Sequence, residues 1–159
     1  MRSFLLLYAS LCVLSAAPCF ADSGKQPARP VHQQSKDLTA AQITGTYEAG
    51  QWGTLDIAAL PGEVRVHLIA LVGLNRPSGP NIGEVDTVLL LDKNMAVYAP
   101  PDGEGRLILR FASGYVEITQ IGASWDVGFG MGVNAGGRYK KTSSKNPHLG
   151  PAPKPDSEG

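Results

Sequence analysis

This sequence predicts an all-β fold: a single antiparallel meander of about eight strands closing into a small up-and-down barrel. Three observations point there. Apolar residues recur with a period of two, short segments of turn chemistry separate the runs that carry them, and the same runs show no apolar stripe at helical spacing. A two-sheet β-sandwich fits the same pattern and is the alternative architecture.

The strands follow in order. The first is expected over 43–48, with Ile43 and Tyr47 on one face, and the second over 53–60. In the third, 63–72, Val64, Val66, Leu68 and Ala70 alternate with Glu63, Arg65 and His67. The fourth, 84–92, is apolar on both faces: Val88 and Leu90 alternate with Thr87, Leu89 and Leu91. With Ile69 and Leu71 these form an outer patch that a covering loop or a partner must shield. The fifth strand is expected over 95–99. In the sixth, 106–112, Leu107, Leu109 and Phe111 alternate with Arg106, Ile108 and Arg110. The seventh, 115–121, sets Val116 and Ile118 against Glu117 and Thr119, and the eighth covers 132–140. One charged and one apolar face is the pattern of an antiparallel strand lying on a core.

The breaks explain why the runs end. Pro61-Gly62, Asp92-Lys93-Asn94, Pro100-Pro101-Asp102-Gly103 and Ser113-Gly114 are turn formers, because proline presets φ, glycine accepts positive φ, and Asn and Asp bond their own backbone. Two interruptions are longer: residues 74–83, with two prolines and two glycines, and residues 123–131, with Trp125 and Phe129 among glycines. Both are expected as loops, where recognition tends to sit on a rigid β scaffold. Helical character is confined to residues 38–42, at most one turn.

The termini set the compartment. Arg2, the apolar stretch from Phe4 to Ala17, and small residues before Asp22 form a secretory leader, residues 1–21, cleaved after Ala21. Its apolar part is too short for a membrane span. The exported protein is expected to be periplasmic or secreted. Both cysteines, Cys12 and Cys19, leave with the leader, so no disulfide supports the domain. A lipid anchor on Cys19 is disfavoured by Pro18 directly before it. Residues 22–42 read as a flexible lead, 43–140 as the barrel domain, and 141–159 as a disordered Pro- and Ser-rich tail. Removing Arg2 leaves thirteen basic against fourteen acidic residues. That balance gives no reason to expect nucleic acid or an anionic membrane as partner.

Candidate chemistry is sparse. His32 and His148 lie in the flexible ends, and His67 faces outward on the third strand without a visible partner. Glu84 and Asp86 share one strand face, where repulsion between like charges suits acid catalysis, but a solvated outer face explains them as well. Asp102-Gly-Glu104-Gly lacks the repeated ligands of a calcium loop. The run 128–132 is glycine-rich, yet a strand pattern follows it where a phosphate loop needs a helix. No catalytic set, metal site or cofactor site is expected.

Three motifs carry a resemblance: Gly45-Thr-Tyr47, Gly53-Thr-Leu55-Asp-Ile57, and Phe129-Gly-Met-Gly-Val133-Asn-Ala135-Gly-Gly137-Arg-Tyr139. In these the chain resembles small exported proteobacterial β-proteins over residues 43–140. Some proteins of similar build are periplasmic lysozyme inhibitors or immunity proteins, which occlude a hydrolase cleft with a loop. The resemblance implies an antiparallel barrel and a binding role. Such proteins often carry a cysteine pair near the sixth strand and before the FG motif. This chain has Arg106 and Ser124 in those neighbourhoods, so that disulfide is absent and no functional residue carries across.

The expected function is therefore non-enzymatic binding of an envelope protein, with blocking or buffering as the outcome. The residues expected to carry it are Trp125, Phe129, Trp52, Arg76 and Asn81, drawn from the loops. The two tryptophans have a second reading as plugs of a barrel end. The alternative function is a carrier holding a small apolar ligand in the barrel mouth.

Overall fold

Eight antiparallel strands form one continuous sheet in the computed structural model, which describes residues 37–151. The leader 1–21, the lead up to residue 36 and the tail from 152 lie outside the described residues. The strands are β1 Gly45–Glu48, β2 Gly53–Leu60, β3 Glu63–Val72, β4 Asn81–Leu90, β5 Met95–Tyr98, β6 Arg106–Ala112, β7 Tyr115–Ile121 and β8 Gly137–Ser143. Their lateral order is β4-β3-β2-β1-β8-β7-β6-β5. This is a meander whose first and last strands pair, nearly closed into a barrel. A single sheet rules out the two-sheet sandwich.

The inward set follows the period of two. Leu55, Ile57, Val64, Val66, Leu68, Ala70, Leu107, Leu109, Val116 and Ile118 are all at most 2 % exposed. Each alternates with outward residues on its own strand, so the buried face of every hairpin faces the same interior. One helical turn, α1 Ala40–Ile43, closes one end. Thr39 opens it with a capping box: the Thr39 N–H donates to Gln42 Oε1 at 2.9 Å. Ile43 drops into the core, and Leu38 donates its N–H to Asn94 Oδ1 at 2.8 Å. The tight turns at 61–62, 91–94 and 113–114 lie at this same end.

Closure is incomplete between β4 and β5. A single bridge, Asp92 with Met95, joins the two strands across their turn, and no ladder continues from it. The lengths explain this, since β4 has ten residues and β5 only four. A longer segment takes the place of the missing pairing. Gly130 donates its N–H to the Ile82 carbonyl at 3.1 Å, and Asn81 Nδ2 donates to the Met131 carbonyl at 2.6 Å. The β7–β8 connection thus lies along the upper edge of β4. Its Val127, Phe129, Val133 and Ala135 enter the core, at 6 % exposure or less.

Several expected boundaries move. Residues 81–83, expected at the end of a loop, begin β4, because they continue the ladder with Ala70, Leu71 and Val72 of β3. The strand expected over 132–140 is Gly137–Ser143 instead. The alternation Val133, Ala135 marks burial there without a hydrogen-bonded ladder, and Gly132 at φ +74 turns the chain out of strand geometry. Residues 141–143, expected as tail, complete β8 and pair with β1. The first strand starts at Gly45, since Ile43 belongs to α1. Residues 37–42, expected within the lead, hold that helical turn against the core.

Two buried tyrosines lock the ends. The Tyr47 hydroxyl donates to the Ile43 carbonyl at 2.5 Å, and the Tyr139 hydroxyl donates to the Ala135 carbonyl at 3.1 Å. Burial pushes each phenol up to about 12 from the ordinary 10.0. An unfolded chain would ionise these groups near 10, so their contribution is whole below that pH and is lost as pH rises through about 12. Denaturant unfolding should therefore show stability falling between pH 10 and 12, together with late tyrosinate absorbance. A Tyr47→Phe, Tyr139→Phe variant should show a shallower fall; an unchanged slope would assign the pH dependence elsewhere.

Candidate functional site

An up-and-down meander sends alternate connections to the same end. The end opposite α1 receives the β1–β2 link at 49–52, the β3–β4 link at 73–80, the β5–β6 link at 99–105 and the β7–β8 link at 122–136. Every residue expected to contact a partner (Trp52, Arg76, Asn81, Trp125 and Phe129) lies in or beside these four connections. Strand parity alone brings them to one end.

Their roles there differ. Trp125 opens a short 3₁₀ turn, Trp125–Val127, and is 71 % exposed. Trp52 ends another, Gly50–Trp52, and is 50 % exposed. Neither tryptophan plugs the barrel. That task falls to Phe129, which corrects its expected place at a partner surface. Its ring packs flat against the backbone of β4, where a Cβ on Gly83 would sit 2.5 Å from Phe129 Cγ. Glycine at 83 leaves the room the ring needs. Asn81 spends its amide on the Met131 carbonyl and acts as a tether. Arg76 leans back over its own turn, against Gly73, and stays exposed. Among the described residues no hydrogen bond or ion pair joins Arg76 or Trp52 to Trp125.

The segment that displays Trp125 is fastened on several sides. Asp126 Oδ2 accepts the Ala123 N–H at 2.7 Å, and the Asp126 carbonyl accepts the Gly105 N–H at 2.9 Å. Ser124 is buried; its carbonyl accepts the Phe129 N–H at 2.8 Å and its Oγ accepts the Gly132 N–H at 3.1 Å. Ala135 donates its N–H to Gln120 Oε1 at 3.0 Å. These bonds fix the loop to the β5–β6 link, to β7 and to its own turns, so Trp125 projects from a held backbone.

Three further exposed apolar residues at or near this end were not legible in the sequence: Met131 at 79 % exposure, Ile82 at 53 % and Ile121 at 49 %. Met131 falls in phase with the inward residues Phe129 and Val133, so alternation alone places it inside. Gly132, at φ +74, breaks that phase, and the Gly130 N–H is held by the Ile82 carbonyl, so Met131 turns out. Ile82 lay in a segment expected as loop, and β4 pairing turns its side chain outward beside Gly130.

The charged outer face takes a separate form. Glu84 and Asp86 are not a repelling pair left to themselves. His67 Nε2 lies 3.1 Å from Glu84 Oε1, and Arg65 Nη2 lies 2.7 Å from Asp86 Oδ1. His67 faces Asp86 and Ile69 faces Glu84 in the register, so each pair is a diagonal cross-strand contact. Among the described residues, no group of three or more His, Cys, Asp or Glu is placed to hold a metal ion. No described helix is long and apolar enough to cross a membrane. No protein-family model matches the chain, and neither a curated protein nor a solved structure matches it significantly.

The division of labour on this loop is testable by stability. Phe129→Ala should cost about 3–5 kcal/mol in denaturant unfolding, through lost burial and the cavity against Gly83. Trp125→Ala should stay within about 0.5 kcal/mol of the unaltered protein, since little of the ring is covered. Equal losses from the two would place Trp125 in the core and remove it from the surface.

Proposed function

We propose that this protein is a non-enzymatic exported binding protein that blocks or buffers another protein of the cell envelope, in the manner of inhibitor and immunity proteins. The contact is the loop-bearing end of the barrel, with Trp125 and Met131 at its centre. Export follows from the leader sequence at residues 1–21.

One observation carries this reading. A single segment, 123–136, buries Val127, Phe129, Val133 and Ala135 while leaving Trp125 71 % and Met131 79 % exposed. Two large apolar side chains held in water add nothing to the fold, and a backbone fastened at Ser124, Asp126 and Gly130 keeps them in place. Binding then loses little conformational entropy, which is what makes an exposed aromatic an effective anchor. Met131 adds a flexible, polarizable neighbour that adapts to the partner's surface. Ile82 and Ile121, at the same end, are exposed as well.

Carriage of a small apolar ligand draws less support. The inward positions at this end are taken by Val127, Phe129, Val133 and Ala135, and most of those along the strands by Leu, Ile and Val. A ligand in the mouth would have to displace the segment that closes the seam.

Capture from an envelope extract by the immobilised protein tests the proposal. Trp125→Ala should weaken capture by at least about 2 kcal/mol, the scale of an interface anchor, with an unchanged circular dichroism spectrum. Leu90→Ala, equally exposed at 77 % but at the opposite end of β4, should capture as the unaltered protein does. Equal capture by the Trp125 variant, or loss by the Leu90 variant alone, would move the contact away from the loop-bearing end.

A further inference from the structure

Arg65 lies on the outside of the barrel and is nonetheless buried. Val64 and Val66 point into the core, so the alternation of β3 turns Arg65 outward. Only 5 % of the residue is exposed, whereas outward charges such as Glu84, Asp86 and Arg110 remain open. Long charged side chains on an outer face keep their heads in water unless something covers them.

The C-terminal segment reaches this side chain. The Pro151 carbonyl accepts a hydrogen bond from Arg65 Nη2 at 3.3 Å. After β8 the chain turns, with the Lys145 N–H donating to Ser143 Oγ at 3.2 Å. Pro147 and Leu149 are then half-buried, alternating with exposed Asn146, His148 and Gly150. One side of this segment therefore faces the barrel. Since β8 neighbours β1, and β2 and β3 follow, the path to Arg65 crosses β1 and β2. Three strand spacings make about 14 Å. Eight extended residues reach about 26 Å, so residues 144–151 span the distance with slack. The outward residues Thr46, Asp56 and Ala58 along that path are half-buried as well.

The fastening is light. Nη2 is shared between the Pro151 carbonyl and the Asp86 carboxylate, while Nε and Nη1 are buried with no partner. Buried donors without acceptors oppose the covered arrangement. The other bonds within the segment are local, such as Leu149 N–H to the Pro147 carbonyl at 2.9 Å. Segments with few buried contacts and few long-range bonds open far more readily than the sheet beneath them. We propose that residues 144–151 form a releasable strap that conceals Arg65. Lifting it leaves the β1–β3 sheet intact and exposes a guanidinium with two unfilled donor groups. This device is independent of the end that bears Trp125.

Modification of the full-length protein by an arginine-selective dicarbonyl reagent, mapped by peptide mass spectrometry, tests it. Arg106 and Arg110 are exposed and serve as internal references. Arg65 should react at least about tenfold more slowly than they do, yet measurably, as a group reached through local opening. Leu149→Lys and, separately, Pro147→Lys place a like charge on the covered side of the strap. Each should bring Arg65 to within about threefold of the references while the β circular dichroism signal is kept. Reaction of Arg65 at the reference rate in the unaltered protein would show that nothing covers it. Protection persisting in both variants would assign the cover to another part of the molecule. Complete protection of the unaltered protein at long exposure, or loss of the β signal in both variants, would make the segment a permanent part of the fold rather than a strap.

Discussion

The free edge of β4 is the constraint on which the rest of this structure depends. A meander of eight strands can pair its first and last members and still leave two neighbours apart, and here β4 and β5 are those neighbours. Backbone donors and acceptors along such an edge must be satisfied by water or by another segment. The β7–β8 connection meets that need at the upper part of β4, through Gly130 to Ile82 and Asn81 to Met131. From this one contact follow the glycine at 83, the burial of Phe129 and the outward turn of Met131. The candidate contact surface is thus the outer side of the segment that closes the barrel.

That origin matters for how the surface works. A loop recruited only for recognition is free to move, and ordering it on binding opposes affinity. Here the same residues that hold the seam hold Trp125, and the inward side chains give the backbone a reason to stay in place without any partner. Rigidity at this end comes from core packing, not from a disulfide. The described chain has no cysteine from which one could be made. The opposite end shows the contrast: α1 and three tight turns cover it, with Ile43 as the plug.

The outer face follows a different rule. Polar side chains on β3 and β4 pair diagonally, His67 with Glu84 and Arg65 with Asp86, instead of with the residue directly opposite. Pairs of this kind at the surface contribute little to stability. Arg65 departs from the pattern: its own side chain is buried and also bonds the Pro151 carbonyl, while its partner Asp86 stays exposed. The apolar outer patch expected on the fourth strand is also uneven: Leu90 stands in water, while Val88 is half-buried.

Alternation of side chains was enough to establish the fold class, the eight strands and nearly every inward residue, because a period of two leaves one face with nowhere to go but a shared interior. It also placed the loops that carry Trp52, Arg76 and Trp125, since proline and glycine restrict where a strand can continue. Tertiary structure alone decided three things. Phe129, Val133 and Ala135 alternate like a strand without forming one, because alternation reports burial and a ladder requires a partner edge that the sequence does not name. Met131 and Ile82 became surface residues only once the seam between β4 and β5 had set the path of the chain. Arg65, outward by alternation, proved buried and bonded to the Pro151 carbonyl from far along the chain. Local pattern is blind to all three because each depends on contacts between residues far apart in the chain, and those are settled only when the sheet has closed and the segments outside it have docked.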